Sequence, residues 1–555
     1  MGTVRKVAVT FFILFSCIGL AFAGYRTGQR MISVDNPVMR SICSLYADKG
    51  IALPYMSGPW SRNEVLYMIE LLESKGLSER DAEVIRKIRK ELEDDGIIIG
   101  RDSLFPFAIS LSVNIDAGYH TNTEFNSEAL KISYPIWESD GNYTTSDITY
   151  WYNGYDSFRK KLSAPFTIRL DLAPTPNTFI SSDFWLNSTG NNGDKFGSEN
   201  FISKLSPIYL FNALDCNVPY SAYLSFGGNN WNILAGRERF SWGMGESGNL
   251  MLSDNLPYHT GLRFTAFGEY LKYTFLSTFY THPSMLNKGS QDAEMKGINM
   301  FLAHRLEFRI LEKVNLSLSE AIMYQNTDGY IDPMVFNPAM LFHSYYIRGN
   351  ANSSISLELA YVPAKHFTLY GELLVDKFIF NEASYTELHN PNAIGMLAGV
   401  KYTNTFANGI QSKISFEAAY TSPYLYLRGN NVSFIGSFRE FNVATNLKYN
   451  MGFIGYGYGN DNLVFQLKEE LFSVGSFDLS ASLTYIIDGD KGIDTQFEMI
   501  SGALNGPSGN TRNIILFESA LDYNLSDHFS IKCGFDVIGN GKTDVQLSLG
   551  VGYHL

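Results

Sequence analysis

From Ile109 onward the chain alternates with a period of two, and this constrains its fold more than any other feature. Ile109, Leu111, Val113, Ile115, Ala117 and Tyr119 are separated by Ser110, Ser112, Asn114, Asp116 and Gly118. Successive strand side chains point to opposite faces, so such a segment has one apolar and one polar face. The pattern returns over 166–172, 222–226, 355–361, 367–375, 414–420 and 477–485. It is cleanest at the end, where Val545, Leu547, Leu549, Val551, Tyr553 and Leu555 alternate with Gln546, Ser548, Gly550, Gly552 and His554. A run of this length matches a tilted membrane-crossing strand of about 9 to 11 residues.

Soluble sandwiches also alternate, but aromatics gather near these strand ends, as a girdle at a water interface requires. Mean hydropathy is −0.08 in a chain with 40 Phe, 34 Tyr and 48 Gly. That texture continues unchanged from about residue 105, which points to one large β domain rather than several soluble ones. Tight turns at 362–366 and 525–528 contrast with long polar connections near 120–160, 186–203, 240–260, 325–350 and 377–393. Dividing the remaining chain among strands and loops predicts a mostly β fold, a large antiparallel transmembrane barrel of about 16–18 strands, over 101–555.

The first residues differ. Arg5 and Lys6 precede an apolar run ending Ala21-Phe22-Ala23, so residues 1–23 read as a secretory signal; a loose lipobox at Leu14 to Cys17 is the rival reading. Residues 24–100 carry helix punctuation. Asn36-Pro37 opens one helix that stops at Gly50, Ser61 and Glu64 form a capping box, and Ser78 to Asp81 starts a third helix with Glu83 and Lys87 as a supporting pair. Three short amphipathic helices bury little by themselves. They are expected as a periplasmic bundle packed at or across the barrel mouth, where it would act as a plug.

Cys43, Cys216 and Cys533 are an odd, scattered set, which builds neither a disulfide framework nor a CxxC metal site. Removing Arg5 and Lys6 with the signal takes the net charge from −13 to −15. Such a chain is a poor ligand for nucleic acid. No GxSxG, HExxH or P-loop occurs, so neither an enzyme nor a cofactor is expected.

One stretch stands apart. Between Trp231 and Phe267 a strand leads into a loop with Gly236, Gly243, Gly245 and Gly248 beside Arg237, Glu238, Arg239, Trp242, Glu246 and Asp254. Four glycines permit backbone angles that other residues avoid, so the loop is expected to be fixed in shape. Aromatic rings for pyranose faces, with carboxylates and arginines for hydroxyls, are what sugar binding requires. Trp137, Trp151 and Tyr155 supply the same mixture in a second segment. The rival reading takes the rings as membrane-interface anchors and the Arg/Glu pairs as salt bridges in a lumen.

The run GRERFSWGMGESGNLMLSDN from Gly236 to Asn255, with Pro257 and the segment 261–264 after it, resembles the Wzi family of capsule-assembly outer-membrane proteins. Segments 304–308, 336–339 and 369–376 follow in the family's order. The resemblance implies a monomeric outer-membrane barrel with a periplasmic helical bundle at its mouth, acting as a lectin that attaches capsular polysaccharide to the cell surface. The alternative is a general or substrate-selective porin whose lumen is lined by Arg237, Arg239 and Arg305.

Overall fold

A computed structural model describes residues 27–555 except 94–95, 100–106, 122–127, 138–142, 153–165, 188–200, 203–214, 218–220, 281–297, 327–329, 338–349, 378–387, 429–431, 443–445 and 503. The expected signal segment lies outside the described residues. Eighteen antiparallel strands form a closed barrel. In order they are Phe107–His120, Phe166–Thr175, Thr178–Asn187, Ala222–Gly227, Trp231–Glu238, His259–Phe267, Leu271–Tyr280, Ile298–Ile310, Val314–Asn326, Asn350–Ala364, Phe367–Lys377, Ala393–Thr405, Gln411–Thr421, Asn462–Ser473, Phe477–Asp488, Arg512–Asn524, Phe529–Gly539 and Thr543–His554. The last strand pairs with the first, Leu549 opposite Ala117, so no edge is left unpaired.

Alternation becomes inside and outside. Along the last strand Leu547, Leu549 and Val551 are exposed on the outer wall, whereas Asp544 and Gln546 are buried in the lumen. A closed barrel with an apolar outer wall and a polar interior is the β arrangement a bilayer accepts, which places this chain in the bacterial outer membrane. Tight turns at 176–177, 228–230, 268–270, 311–313, 365–366, 474–476 and 525–528 share one end. The long connections share the other. Two of them carry hairpins, Glu128–Trp137 with Tyr143–Tyr152 and Ile435–Asn442 with Asn446–Phe453, which join in a separate four-stranded sheet.

Three helices cap the tight-turn end: α1 (Pro37–Lys49), α2 (Arg62–Glu73) and α3 (Glu79–Glu93). Asn36 accepts from the Val38 amide at 2.9 Å and Gly50 closes α1 in the left-handed conformation. Ser61 caps the Glu64 amide at 3.2 Å, but the Glu64 side chain does not complete a capping box. It pairs instead with Lys272 of the wall at 2.5 Å, a burial that would leave either charge unpaired without the other. Glu83 likewise pairs with Arg86 rather than Lys87, whose ammonium reaches Ser473. The apolar stripes of the helices, including Ile42, Leu45, Val65, Ile69, Ile85 and Ile88, form one core with Phe267 at a strand end and Val474 in a turn.

The bundle touches turn after turn. His366 donates its amide to the Ala47 carbonyl, Ala52 to that of Glu312, and Lys75 meets Glu312 at 2.5 Å. The strand arm 28–36 and segment 52–61 then run into the lumen, pairing Met31 with Ser61 and Ile32 with Trp60.

Candidate functional site: the lumenal plug

Strands Trp231–Glu238 and His259–Phe267 are joined by a loop that turns into the barrel. Gly236, Gly243 and Gly248 have φ of +138°, +122° and +130°, which side chains rarely adopt. Gly245 is required for a different reason, since an added Cβ would lie 1.9 Å from the Gly248 carbonyl oxygen. The descending loop meets the rising segment 52–61: Ser241 and Trp242 pair with Gly58 and Ser57, and Gly243 donates to the Met56 carbonyl at 3.0 Å.

Buried carboxylates of the wall hold the backbone of both segments. Glu372 accepts from the amides of Leu250 at 2.7 Å and Met251 at 2.9 Å. Glu417 accepts from Glu246 and Ser247 at 2.8 and 2.9 Å, and Glu307 from Met56 at 2.6 Å. Cations take the carbonyls: Lys401 donates to Met244 at 2.6 Å, Lys272 to Ser57 at 2.7 Å, and Arg263 to Pro59. Arg305 forks onto Glu358 and lies 5.7 Å from the Trp242 ring centroid. Where the wall group is a Lys or Arg cation, such charge-assisted hydrogen bonds are about twice as strong as neutral ones, and they offset part of the cost of burying the charge.

The predicted residues divide. Trp242 is fully buried, at 0% exposure, against Leu250, Leu252 and Phe240, so it has no free ring face. Glu246 sits among three ammonium groups, at 2.6 Å from Lys401, 2.7 Å from Lys413 and 3.4 Å from Lys468. Glu238 accepts from Ser221 at 2.7 Å. Arg239 joins Asp35 and, at 2.6 Å, the Asp254 carbonyl; the Arg239 and Asp254 side chains are half-exposed toward the lumen. Arg237 does not line the lumen. Asn232, Leu234 and Glu238 point inward, so Arg237 points outward, stacked at 3.9 Å on Tyr258 and bonded to Thr260. Trp137 and Trp151 stand on the distal hairpin, opposite Tyr143 and Ala129, and Tyr155 lies outside the described residues.

Three parts of the site were missed by sequence reasoning. The wall glutamates Glu358, Glu372 and Glu417 all fall on the polar face of recognised alternating runs, and that was a usable signal. Residues 422–428 and 451–461 pack on the plug, with Tyr426 donating to the Leu250 carbonyl at 2.6 Å. Residues 489–510 place Phe497 5.6 Å from Tyr424 and 4.3 Å from the Lys377 ammonium. These segments have no period to reveal them.

Neither a family model nor a curated protein sequence matches the chain. Among solved structures, Wzi of Escherichia coli, described as an outer-membrane protein involved in group 1 capsule assembly and a carbohydrate-binding β-barrel, aligns over 94% of this chain and 98% of its own, at a TM-score of 0.56 and 12% identity. The chain has the fold of Wzi. OccD3 of Pseudomonas aeruginosa covers 83% of this chain and 92% of its own at TM-score 0.39 and 9% identity. A BenF-like porin from Pseudomonas fluorescens covers 81% and 98% at TM-score 0.39 and 9% identity.

Two outcomes follow for the plug. Removing the Trp242 ring in Trp242→Ala should cost about 3–5 kcal/mol, read as a lower unfolding temperature of the heat-modifiable barrel. Burial pushes the Glu246 carboxyl up, but Lys401, Lys413 and Lys468 outweigh it and hold the group well below its ordinary value of 4.5. The stability it contributes is therefore complete above that value and lost as pH falls through the depressed folded-state value. Glu246→Gln should be less stable than the parent at neutral pH, and the gap should close on acidification below 4.5; a gap independent of pH would contradict the assignment.

Proposed function

We propose that this protein is an outer-membrane anchor that binds surface polysaccharide, rather than a diffusion porin. The observation that carries the reading is the lumenal plug: segments 52–61 and 240–258 occupy the barrel interior and are bonded to its wall. A pore for solutes needs an open path, and a wall whose buried cations and carboxylates are spent on the plug backbone offers few groups to a permeant. The fold shared with a carbohydrate-binding barrel adds to this.

Tight turns face the periplasm in outer-membrane barrels. The three helices of the expected 24–100 unit then lie on the periplasmic side, with 28–36 and 52–61 reaching from them into the lumen, and the long connections face outward. The glycan contacts belong at that outer end. Trp137, Trp151 and Tyr155 are the aromatic candidates, and a second group on other long connections brings Phe497 and Tyr424 together with Lys377 and Lys491. Arg239 and Asp254, part-exposed and joined to each other, stay among the candidates, whereas the buried Trp242 and Glu246 serve the plug itself. The protein acts as a monomer in this reading, as the resemblance to the Wzi family implies.

Two measurements test the proposal. In planar bilayers the full chain should show little steady conductance; large stable channels would favour the porin. A Trp137→Ala/Trp151→Ala variant should assemble with normal heat-modifiable mobility yet retain several-fold less surface polysaccharide than the parent. Retention at the parent level would remove this hairpin from recognition.

A further inference from the structure

One sector of the outer wall is covered where lipid would be expected. In strand Ile298–Ile310 the side chains of Arg305, Glu307 and Arg309 point into the lumen, so Met300, Leu302 and His304 point outward. Yet Met300 is 0% exposed, while Leu318, on the same outer face nearer the turns, is 41% exposed. Across the strand pair Met300 faces Tyr324, Leu302 faces Ile322 and His304 faces Glu320. His304 also shares a hydrogen bond of 2.9 Å with the Tyr273 hydroxyl, giving this wall an imidazole, a carboxyl and a phenol side by side.

The cover is the segment Tyr330–Asn337, which holds the short helix Pro333–Phe336. Val335 is buried in a cluster with Phe275, Met300, Leu302, Ile322 and Tyr324, Ile331 packs at its border, and Tyr324 donates to the Tyr330 carbonyl at 3.2 Å. The opposite side of the segment is open and mainly apolar, with Tyr330 61% exposed and Met334 and Phe336 each 41% exposed; Asp332 is half-buried and Asn337 is exposed at its end.

We propose that residues 330–337 form a strap that replaces lipid over the wall of Phe275, Met300, Leu302, Ile322 and Tyr324 and itself presents Tyr330, Met334 and Phe336 to the acyl chains of the outer leaflet. Three observations select lipid as the occupant. The residues under the strap run from Phe275, opposite His304, to Met300, seven to eleven residues before Leu311 at the tight turn; at a rise of about 3.4 Å per residue and a tilt of about 40° they lie on the order of 18 to 29 Å along the membrane normal from the turns, at the outer margin of an apolar band about 25 Å tall. The open face of the strap continues the apolar wall formed by Leu318 and Phe279. Its backbone is also prepared for a medium that offers no hydrogen bonds: Met334 donates to the Asp332 carboxylate at 3.0 Å, Val335 to the Asp332 carbonyl at 3.1 Å and Asn337 to the Met334 carbonyl at 3.2 Å, while Pro333 has no donor.

Photolabelling the unmodified full chain in vesicles of phosphatidylcholine carrying an acyl-chain diazirine tests this. Adducts are expected on Tyr330, Met334 or Phe336 and on Leu318 as the wall control, with none on Met300, Leu302 or His304. Val335→Asp, which should lift the strap while leaving heat-modifiable mobility intact, should shift adducts onto Met300 and Leu302. Should that variant not assemble, the pattern in the unmodified chain decides alone. A strap without adducts beside a labelled Leu318, as water or a protein partner would leave it, overturns the proposal, and so does labelling of Met300 or Leu302 in the unmodified chain.

Discussion

Carboxylates of the barrel wall bonded to the backbone amides of a non-strand plug are the interaction on which the rest of this structure depends. A barrel of this circumference leaves a lumen too wide for wall side chains alone to fill. Chain that enters it must satisfy its amides and carbonyls away from water, or lose about as much as the missing hydrogen bonds would contribute. Glu307, Glu372 and Glu417 meet that requirement for amides, while Lys272, Arg263 and Lys401 meet it for carbonyls. Each pairing also resolves the burial of the wall charge. Neither side is stable without the other.

The same chemistry links the plug to the helical bundle. Glu246 on the loop shares Lys413 and Lys468 with Glu470, and Glu470 accepts from Arg40 of α1 at 2.7 Å. Arg40 continues to Asp478 on the next strand. Loop, wall and bundle are thus one network of alternating charge, in which removing a member leaves a neighbour buried and unpaired. A barrel filled this way is a rigid platform, and its outer connections are free to vary while the interior stays fixed.

Much of the fold was legible because alternation is a local property. The polar face of 367–375 predicts where Glu372 points, and the C-terminal run shows inside and outside without reference to any partner. Helix ends were legible for the same reason, as at Asn36 and Gly50. Long-range pairing was not. Ser61 and Glu64 have capping-box spacing, yet Lys272, more than two hundred residues away, takes the carboxylate. The loop near Gly236 announced its rigidity through its glycines, but not whether its rings and charges face a ligand or the chain itself. Trp242 and Glu246 turned inward because residues 52–61, far off in sequence, supply the other half of their surroundings. The porin alternative placed Arg237 in the lumen with Arg239 and Arg305; the parity of its strand turns it out.

Hydrogen–deuterium exchange of the full chain in detergent micelles, followed by peptide mapping, reads out whether the wall carboxylates hold the plug amides. The amides of Glu246, Ser247, Leu250 and Met251 lie in a loop without strand ladder partners, so only the wall carboxylates can protect them. The account predicts that peptides covering 244–252 exchange as slowly as those from strands Phe367–Lys377 and Gln411–Thr421. Exchange of 244–252 at the rate of an open loop, with the strands still protected, would contradict it.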